Sequence, residues 1–407
     1  MVSTEEKARL SLTEWTNIMA DVTKLQTITY LAPGSRSGES MVTTHLLRAC
    51  QDIQESFPEA RQIIYTTTAD VDGWPESYVL PNNPDIIEVV DKGVATAMAA
   101  YVEGGLRADV IITSDLAPAF AAYGLERGFM FMPPSPVIIV FPKVPEKNLD
   151  DNVSLDIRRA THMVRYMAHL STAWFVVLDN AAEERAMQTL LDDAGAYGLD
   201  RVRRFSTYAF NGSPWPPRRD VVVWSGRQSR AKQAELAAQI FSLLGSVKCE
   251  VFIPASGRRP SSAWRVLTDK PNFELHIGLP SNAYRELAGT AKVLLVTSSV
   301  EGYAIGYLEL MGTGVLPVVF NATWADDLLP PGWPFRFRTA GEGASMVLEA
   351  LAQYDNYAPV LRAWMQQRFG QRRRMDTILQ EAWQDYAIRY AERWRIKVPR
   401  RPGHRCR

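Results

Sequence analysis

Short runs of β-branched and aliphatic residues alternate with amphipathic stretches along most of the chain. "LQTITYLAP", "ARQIIYTTT", "ADVIITSD", "SPVIIVFP" and "AWFVVLDN" are apolar at nearly every position, the pattern of parallel strands covered on both faces. Between them, "MVTTHLLRACQDIQESF" and "EERAMQTLLDDAGAYG" carry helical spacing. This alternation predicts a doubly wound α/β sheet. "FNGSPWPPRRD", residues 210–220, breaks the pattern with three prolines, a glycine and an asparagine, and reads as a linker and hinge. The pattern then restarts. "VVVWSG" is a strand, "AKQAELAAQIFSLLG" a helix, and "KCEVFIP", "NFELHIG", "KVLLVTS" and "VLPVVF" four further strands. A helical stretch from Ala358 to Trp394, rich in Arg, Gln and aromatics, follows. Two such domains face to face make a cleft, because ligands of open α/β sheets sit beyond the carboxyl ends of the strands.

Composition narrows this picture only slightly. The 407 residues suffice for two or three domains. Lys plus Arg and Asp plus Glu both number 45, so net charge names no polyanionic partner. Cys50, Cys249 and Cys406 are scattered and lack metal-ligand spacing, which fits a reducing compartment better than a disulfide framework. The charged start "MVSTEEKARLSLTEW" has no apolar segment, so no signal peptide is expected. No run approaches the ~20 apolar residues of a membrane span. A cytoplasmic protein is expected, in the host cytoplasm if the source is viral.

The densest chemistry lies at residues 291–320. "AKVLLVTSS" ends a strand, "VEGYAIG" turns, and "YLELMGTG" opens a helix. If that helix starts near Ile305, Glu309 lies about one turn in, ~6 Å along the axis. Its side chain leans back toward the helix start, to the same ligand edge as Glu301. Gly302 and Gly306 allow backbone N–H groups close to an anion, and a helix N-terminus favours phosphate. Two carboxylates beside a phosphate site suit sugar hydroxyls better than the phosphate itself. The layout is that of a nucleotide-sugar site, with ribose at one carboxylate and hexose at the other.

"EGYAIGYLELMGTGVLPVV" resembles the Glu-x7-Glu signature of retaining GT-B glycosyltransferases of the family 4 type. Glu301, Gly302, Leu308, Glu309, Met311, Gly314 and Pro317 match, with one extra residue before the proline. Upstream, "SGRQSRAK" resembles the family's G-R-x-S-x-x-K turn, placing Gly226, Arg227, Ser229 and Lys232. "APGSRSGES", with Gly34, Ser37 and Gly38, is similar to the glycine loop that opens the first domain on the acceptor side. The resemblance implies a GT-B fold with an acceptor domain over 1–214, a donor-nucleotide domain over 215–360, and C-terminal helices over 361–407 that cross back and end in a basic tail. It implies a hexosyltransferase that uses a nucleoside-diphosphate sugar, a UDP-sugar such as UDP-glucose first among them, and keeps the anomeric configuration. Arg227 and Lys232 would hold the diphosphate, Glu301 the transferred sugar and Glu309 the ribose. Tyr303, Ala304 and Ile305 would line the donor site, and the backbone at His276 and Gly278 would meet the base. No cofactor or metal is implied, since cations supply the charge.

The sequence departs from the family where Ala304 replaces a usual glycine, Gly306 stands where proline or threonine is common, and "VIIVFPKVPEKN" lacks the histidine that faces the donor sugar. The acceptor therefore stays open. A hydroxyl of a saccharide, lipid or small metabolite is the default. A hydroxymethylated pyrimidine of DNA is the alternative, gripped by "DRVRRF" or the basic tail. A nucleotide-sugar epimerase, a phosphorylase and a non-catalytic binding protein on the same scaffold are the further rivals. Elsewhere, His162 and His169 share one helical face and read as structural. Asp70 and Asp72 read as a polar turn, and the tryptophans as packing.

Overall fold

The computed structural model describes residues 25–32, 41–67, 85–89, 94–102, 108–113, 119, 121–122, 137–140, 162–165, 167, 173–196, 200–227, 230–254, 262–299, 301 and 303–397. Gly34, Ser37, Gly38, Asp70, Asp72, His169, Ser229, Gly302 and the basic tail lie outside the described residues.

Seven strands form the first sheet: β1 (Thr27–Ala32), β2 (Arg61–Thr67), β3 (Asp85–Val89), β4 (Val110–Thr113), β5 (Val137–Val140), β6 (Ala173–Leu178) and β7 (Val202–Phe205). Their order is β3-β2-β1-β4-β5-β6-β7, and every pair is parallel. Alternate side chains go to opposite faces. Ile28, Tyr30, Ile64 and Ile112 pack with Leu46, Ala49 and Ile53 of helix α1 (Met41–Ser56). Leu31, Ile63, Tyr65 and Ile111 pack with Ala97 and Ala100 of α2 (Val94–Val102) on the other face. Helix α3 (Ala181–Asp193) follows β6, its first turn capped by the Asn180 side chain, which accepts from Ala182 N at 2.8 Å.

The second sheet repeats the design with six parallel strands: β8 (Arg219–Ser225), β9 (Lys248–Ile253), β10 (Phe273–Ile277), β11 (Ala291–Val296), β12 (Leu316–Phe320) and β13 (Arg336–Phe337), in the order β10-β9-β8-β11-β12-β13. Helices α4 (Ala234–Leu243), α5 (Ser281–Ala288), α6 (Ile305–Gly312), α7 (Ala340–Ala352) and α8 (Tyr354–Phe369) belong to it. Each chain half starts on an inner strand and then reverses direction across the sheet. The reversals fall between β1 and β4 and between β8 and β11, the places where crevices open in such sheets.

Helix α8 buries Tyr354, Leu361, Met365 and Phe369 in the second core. The last helix, α9 (Met375–Lys397), instead buries Met375, Leu379, Ala382 and Trp383 with the first sheet and α1. The crossing between them is fixed by Asp52 of α1. Its carboxylate, fully buried, accepts from Arg372 Nη1 at 2.7 Å and from Met375 N at 2.9 Å, and takes a second contact from Arg372 Nη2.

The proline-rich segment is a pinned strap rather than a free hinge. Trp215 Nε1 donates to Gly312 O at 2.8 Å, Arg362 Nη2 to Gly212 O at 2.6 Å, and Arg218 Nη1 to Gly289 O and Ala291 O at 2.9 and 3.0 Å. The "DRVRRF" segment also makes internal contacts. It contains the edge strand β7, and its arginines are engaged within the molecule: Arg203 with Asp200 and Glu381, Arg204 with Glu184, and Arg201 is buried.

The lobes meet where β6 and β7 end. Asn180 Nδ2 donates to Trp324 O at 3.3 Å, and Ala181 N to Asp327 Oδ2 at 3.0 Å. Arg368 bridges Asp179 and Asp327, each at 2.9 Å. Burial alone would raise the Asp179 carboxyl, but Arg368 and Ser206 outweigh it and hold it below the ordinary aspartate value. No helix among the described residues is long and apolar enough to cross a membrane.

Candidate functional site

The crevice at the β8/β11 reversal is built from two turns. One follows β8 through Gly226 and Arg227 to a 3-10 turn, Arg230–Lys232, and then α4. The other follows β11 through Ser298, Glu301 and Tyr303 to α6. The turns are tied to each other. Ser299 N donates to Ala231 O at 2.9 Å, and Thr297 Oγ1 donates to Lys232 O at 2.6 Å while accepting from Trp224 Nε1 at 2.9 Å. Two non-glycine residues with positive φ occur among the described residues, Gln233 at 48° and Ala304 at 49°. They are the N-caps of α4 and α6. Each costs about 1 kcal/mol or more of backbone strain, and each aims a helix start at the same crevice.

Lys232 and Glu301, 69 positions apart in sequence, make a direct ion pair here. Lys232 Nζ also donates to Tyr307 OH at 3.1 Å and lies 4.7 Å from the centre of the Tyr307 ring. Burial would lower the Lys232 ammonium, but Tyr307 and Glu301 outweigh it and hold it above the ordinary lysine value. The ammonium lies beside the starts of α4 and α6, where helix N-termini favour anions. Arg227, two residues beyond β8, is exposed.

Glu309 sits one turn into α6, as its spacing predicts. It is neither buried nor freely solvated. Arg285 of α5 holds both oxygens, with Nε at 3.3 Å and Nη2 at 3.1 Å. A carboxylate held on one side by a planar guanidinium keeps lone pairs for hydroxyl donors on the other. Tyr303 and Ala304 are buried and Ile305 half-buried. The His276 ring stacks on Phe252, centroids 4.6 Å apart, and Gly278, just after β10, has a φ of +67°. Gly278 N donates to Ile253 O at 2.8 Å.

The signature's later glycines serve packing. A Cβ on Gly312 would strike the Tyr208 hydroxyl, and one on Gly314, at φ +99°, would strike the Trp215 ring. Both partners come from the connection between the lobes. Among the described residues, Glu250, Glu274 and His276 are the group with metal-ligand spacing. Glu250 already carries Arg219 at 2.6 Å and Lys248 at 3.3 Å, and Lys248 reaches Glu274 at 3.1 Å. Two cations on two carboxylates leave little charge for a metal ion. His162 is exposed, and Trp264 lies buried among Trp224, Phe241 and Phe273. Tyr307, Arg285 and Trp324 were not found from the sequence. The first occupies a position the signature leaves open, and the other two act from separate elements.

No family model matches the sequence, and no curated protein matches it. Solved structures do match its shape. TarM, a protein of S. aureus, superposes with a TM-score of 0.66 over 90% of this chain and 99% of its own, at 10% identity. HepE of Anabaena, solved in complex with UDP-glucose, gives 0.64 over 89% and 99%, at 13% identity. Sucrose-phosphate synthase of Thermosynechococcus elongatus gives 0.65 over 90% and 100%, at 12% identity. The topology of both sheets and these superpositions establish that the chain has the GT-B fold, two Rossmann-like units facing a cleft.

Proposed function

We propose that this chain is a retaining glycosyltransferase of the family 4 type that moves a hexose from a nucleoside-diphosphate sugar, a UDP-sugar foremost, to a hydroxyl acceptor. The observation that carries the reading is the meeting of Lys232 and Glu301 at the β8/β11 reversal, with Glu309 at the start of the adjoining helix. A binding partner with both phosphate and hydroxyls satisfies all three groups. HepE, which shares the fold, was solved with UDP-glucose.

In this reading Lys232 and Arg227 bind the diphosphate, and their charge stabilises it as it leaves. Glu301 lets go of Lys232 and accepts from hydroxyls of the transferred sugar. Glu309, oriented by Arg285, accepts from the ribose. The backbone at His276 and Gly278 borders the base. The acceptor hydroxyl approaches from the first lobe, and the departing phosphate takes its proton. The first unit, 1–214, serves the acceptor and the second, 215–360, the donor. A metal ion is not required, because the cations come from the chain. A saccharide, lipid or small-metabolite acceptor is favoured over DNA, since the arginines of "DRVRRF" are engaged internally.

The test is mass spectrometry of the protein with UDP-, GDP- and ADP-sugars and a panel of acceptors that includes hydroxymethylated DNA, with and without EDTA. A mass gain of one hexose on a hydroxyl acceptor, unchanged by EDTA, is expected. Donor turnover that yields an isomerised sugar and no acceptor product would replace the reading by an epimerase. Absence of any nucleotide-sugar binding would leave a binding or scaffold protein.

Gly306 gives a second expectation. An added Cβ there meets nothing within 4 Å, and its φ is not left-handed. Gly306→Ala therefore raises stability by up to about 1 kcal/mol through helix propensity. UDP affinity stays within two-fold, while relative rates among UDP-hexoses change several-fold, as read by melting, calorimetry and donor competition.

A further inference from the structure

Tyr307 is buried in the second core, so its simplest role is to fill space. Its hydroxyl argues for more. It contacts Lys232 Nζ at 3.1 Å and Ser298 Oγ at 2.9 Å. An ammonium has donors only, so the Tyr307 oxygen accepts from Lys232, and the Tyr307 and Ser298 hydroxyls share a further hydrogen bond in which either can donate. Ser298 is fixed in turn, because its carbonyl accepts from Trp324 Nε1 at 3.1 Å. The Trp324 ring packs beside that of Tyr307, centroids 6.4 Å apart. The hydroxyl is thus anchored at both ends, and the ring face lies against the same ammonium.

Lys232 is held from two sides, by Glu301 and Tyr307. The donor reading above, on which this inference rests, takes Glu301 away to the sugar. A lysine is a compact charge on a flexible four-carbon stem, and without a second hold it would leave the phosphate's reach. We propose that Tyr307 is the positioning residue of the donor site: it keeps the Lys232 ammonium on the diphosphate while Glu301 serves the sugar. Tyr307 acts through Lys232 and touches no substrate itself.

A packing role and a positioning role differ for Tyr307→Phe, which keeps the ring and removes the hydroxyl. Competition calorimetry with UDP, GDP and ADP, each beside its nucleoside, separates phosphate recognition from base recognition. We expect Tyr307→Phe to weaken the preferred nucleoside diphosphate about ten-fold, the scale of a hydrogen bond to a charged group, and to leave its nucleoside within two-fold. In a Lys232→Met background the same exchange should change neither affinity. Ser298→Ala, which frees the far end of the hydroxyl, should give a smaller loss confined to the diphosphate. Unchanged diphosphate affinity in Tyr307→Phe would overturn the proposal. So would equal losses for diphosphate and nucleoside, or the same loss in the Lys232→Met background. A parent protein that binds none of the three diphosphates would remove the donor reading, and the proposal with it.

Discussion

Lys232→Ala lowers sugar transfer by about 10²–10³-fold, the loss seen when one preorganised charge at a developing anion is removed. The ammonium lies at the reversal point of the second sheet, beside the starts of α4 and α6. Its surroundings hold it protonated above the ordinary lysine value. Transfer by the parent enzyme should therefore not fall through loss of this charge anywhere below about pH 10. The exchange leaves Glu301 without its partner, so the variant's melting temperature must be recorded beside its rate. Lys232→Arg keeps a charge there and should retain more activity than alanine. A rate near that of the parent in Lys232→Ala, with donor turnover intact, would remove this residue from the mechanism.

Asp52→Ala should destabilise the protein by about 3–5 kcal/mol, the usual cost of stripping one partner from a buried ion pair. The Asp52 side chain is fully buried, and that of Arg372 is 7% exposed. Removal of the carboxylate leaves a guanidinium in the interior and frees the N–H of Met375 at the start of α9. That helix is the element that carries the chain from the second core back to the first. The expected outcome is a lower denaturation midpoint and early proteolysis near residues 370–375. Replacing Asp326, whose pair with Arg336 is exposed, should cost no more than about 1 kcal/mol. Equal effects at the two positions would show that burial does not set the cost.

What could be read from the sequence follows from how strongly each element depends on its own residues. Strands β1, β2, β4, β6, β8 and β11 are buried on both faces, so their apolar runs announce them. Strand β7 is "VRRF" and β13 only "RF". Their charges pair with neighbours that a sequence scan does not see. The helical stretch near the C-terminus divides at residues 370–374, where arginines turn back to α1. The connection at 210–220 looked like a hinge because prolines and glycine break regular structure. What pins it is backbone acceptors far away in sequence, such as Gly312 O and Ala291 O.

The candidate site divides in the same way. Lys232 and Glu301 stand at motif positions, and the fold brings them into contact. The hold of Arg285 on Glu309 comes from a different helix, 24 positions upstream, with no fixed spacing to reveal it. Tyr307 lies inside the signature, at a position whose identity the signature does not specify. The left-handed backbone at Ala304 is visible only in three dimensions, although an alanine where glycine is usual already marks the place.

The central claim is that the β8/β11 crevice receives the diphosphate of a nucleotide sugar. A crystal structure of the protein with UDP tests it most directly. The account predicts phosphate oxygens within hydrogen-bond distance of Lys232 and Arg227 at the start of α6, ribose hydroxyls on Glu309, and Glu301 parted from Lys232. UDP bound elsewhere, or the Lys232–Glu301 pair intact beside a phosphate it does not touch, would contradict it.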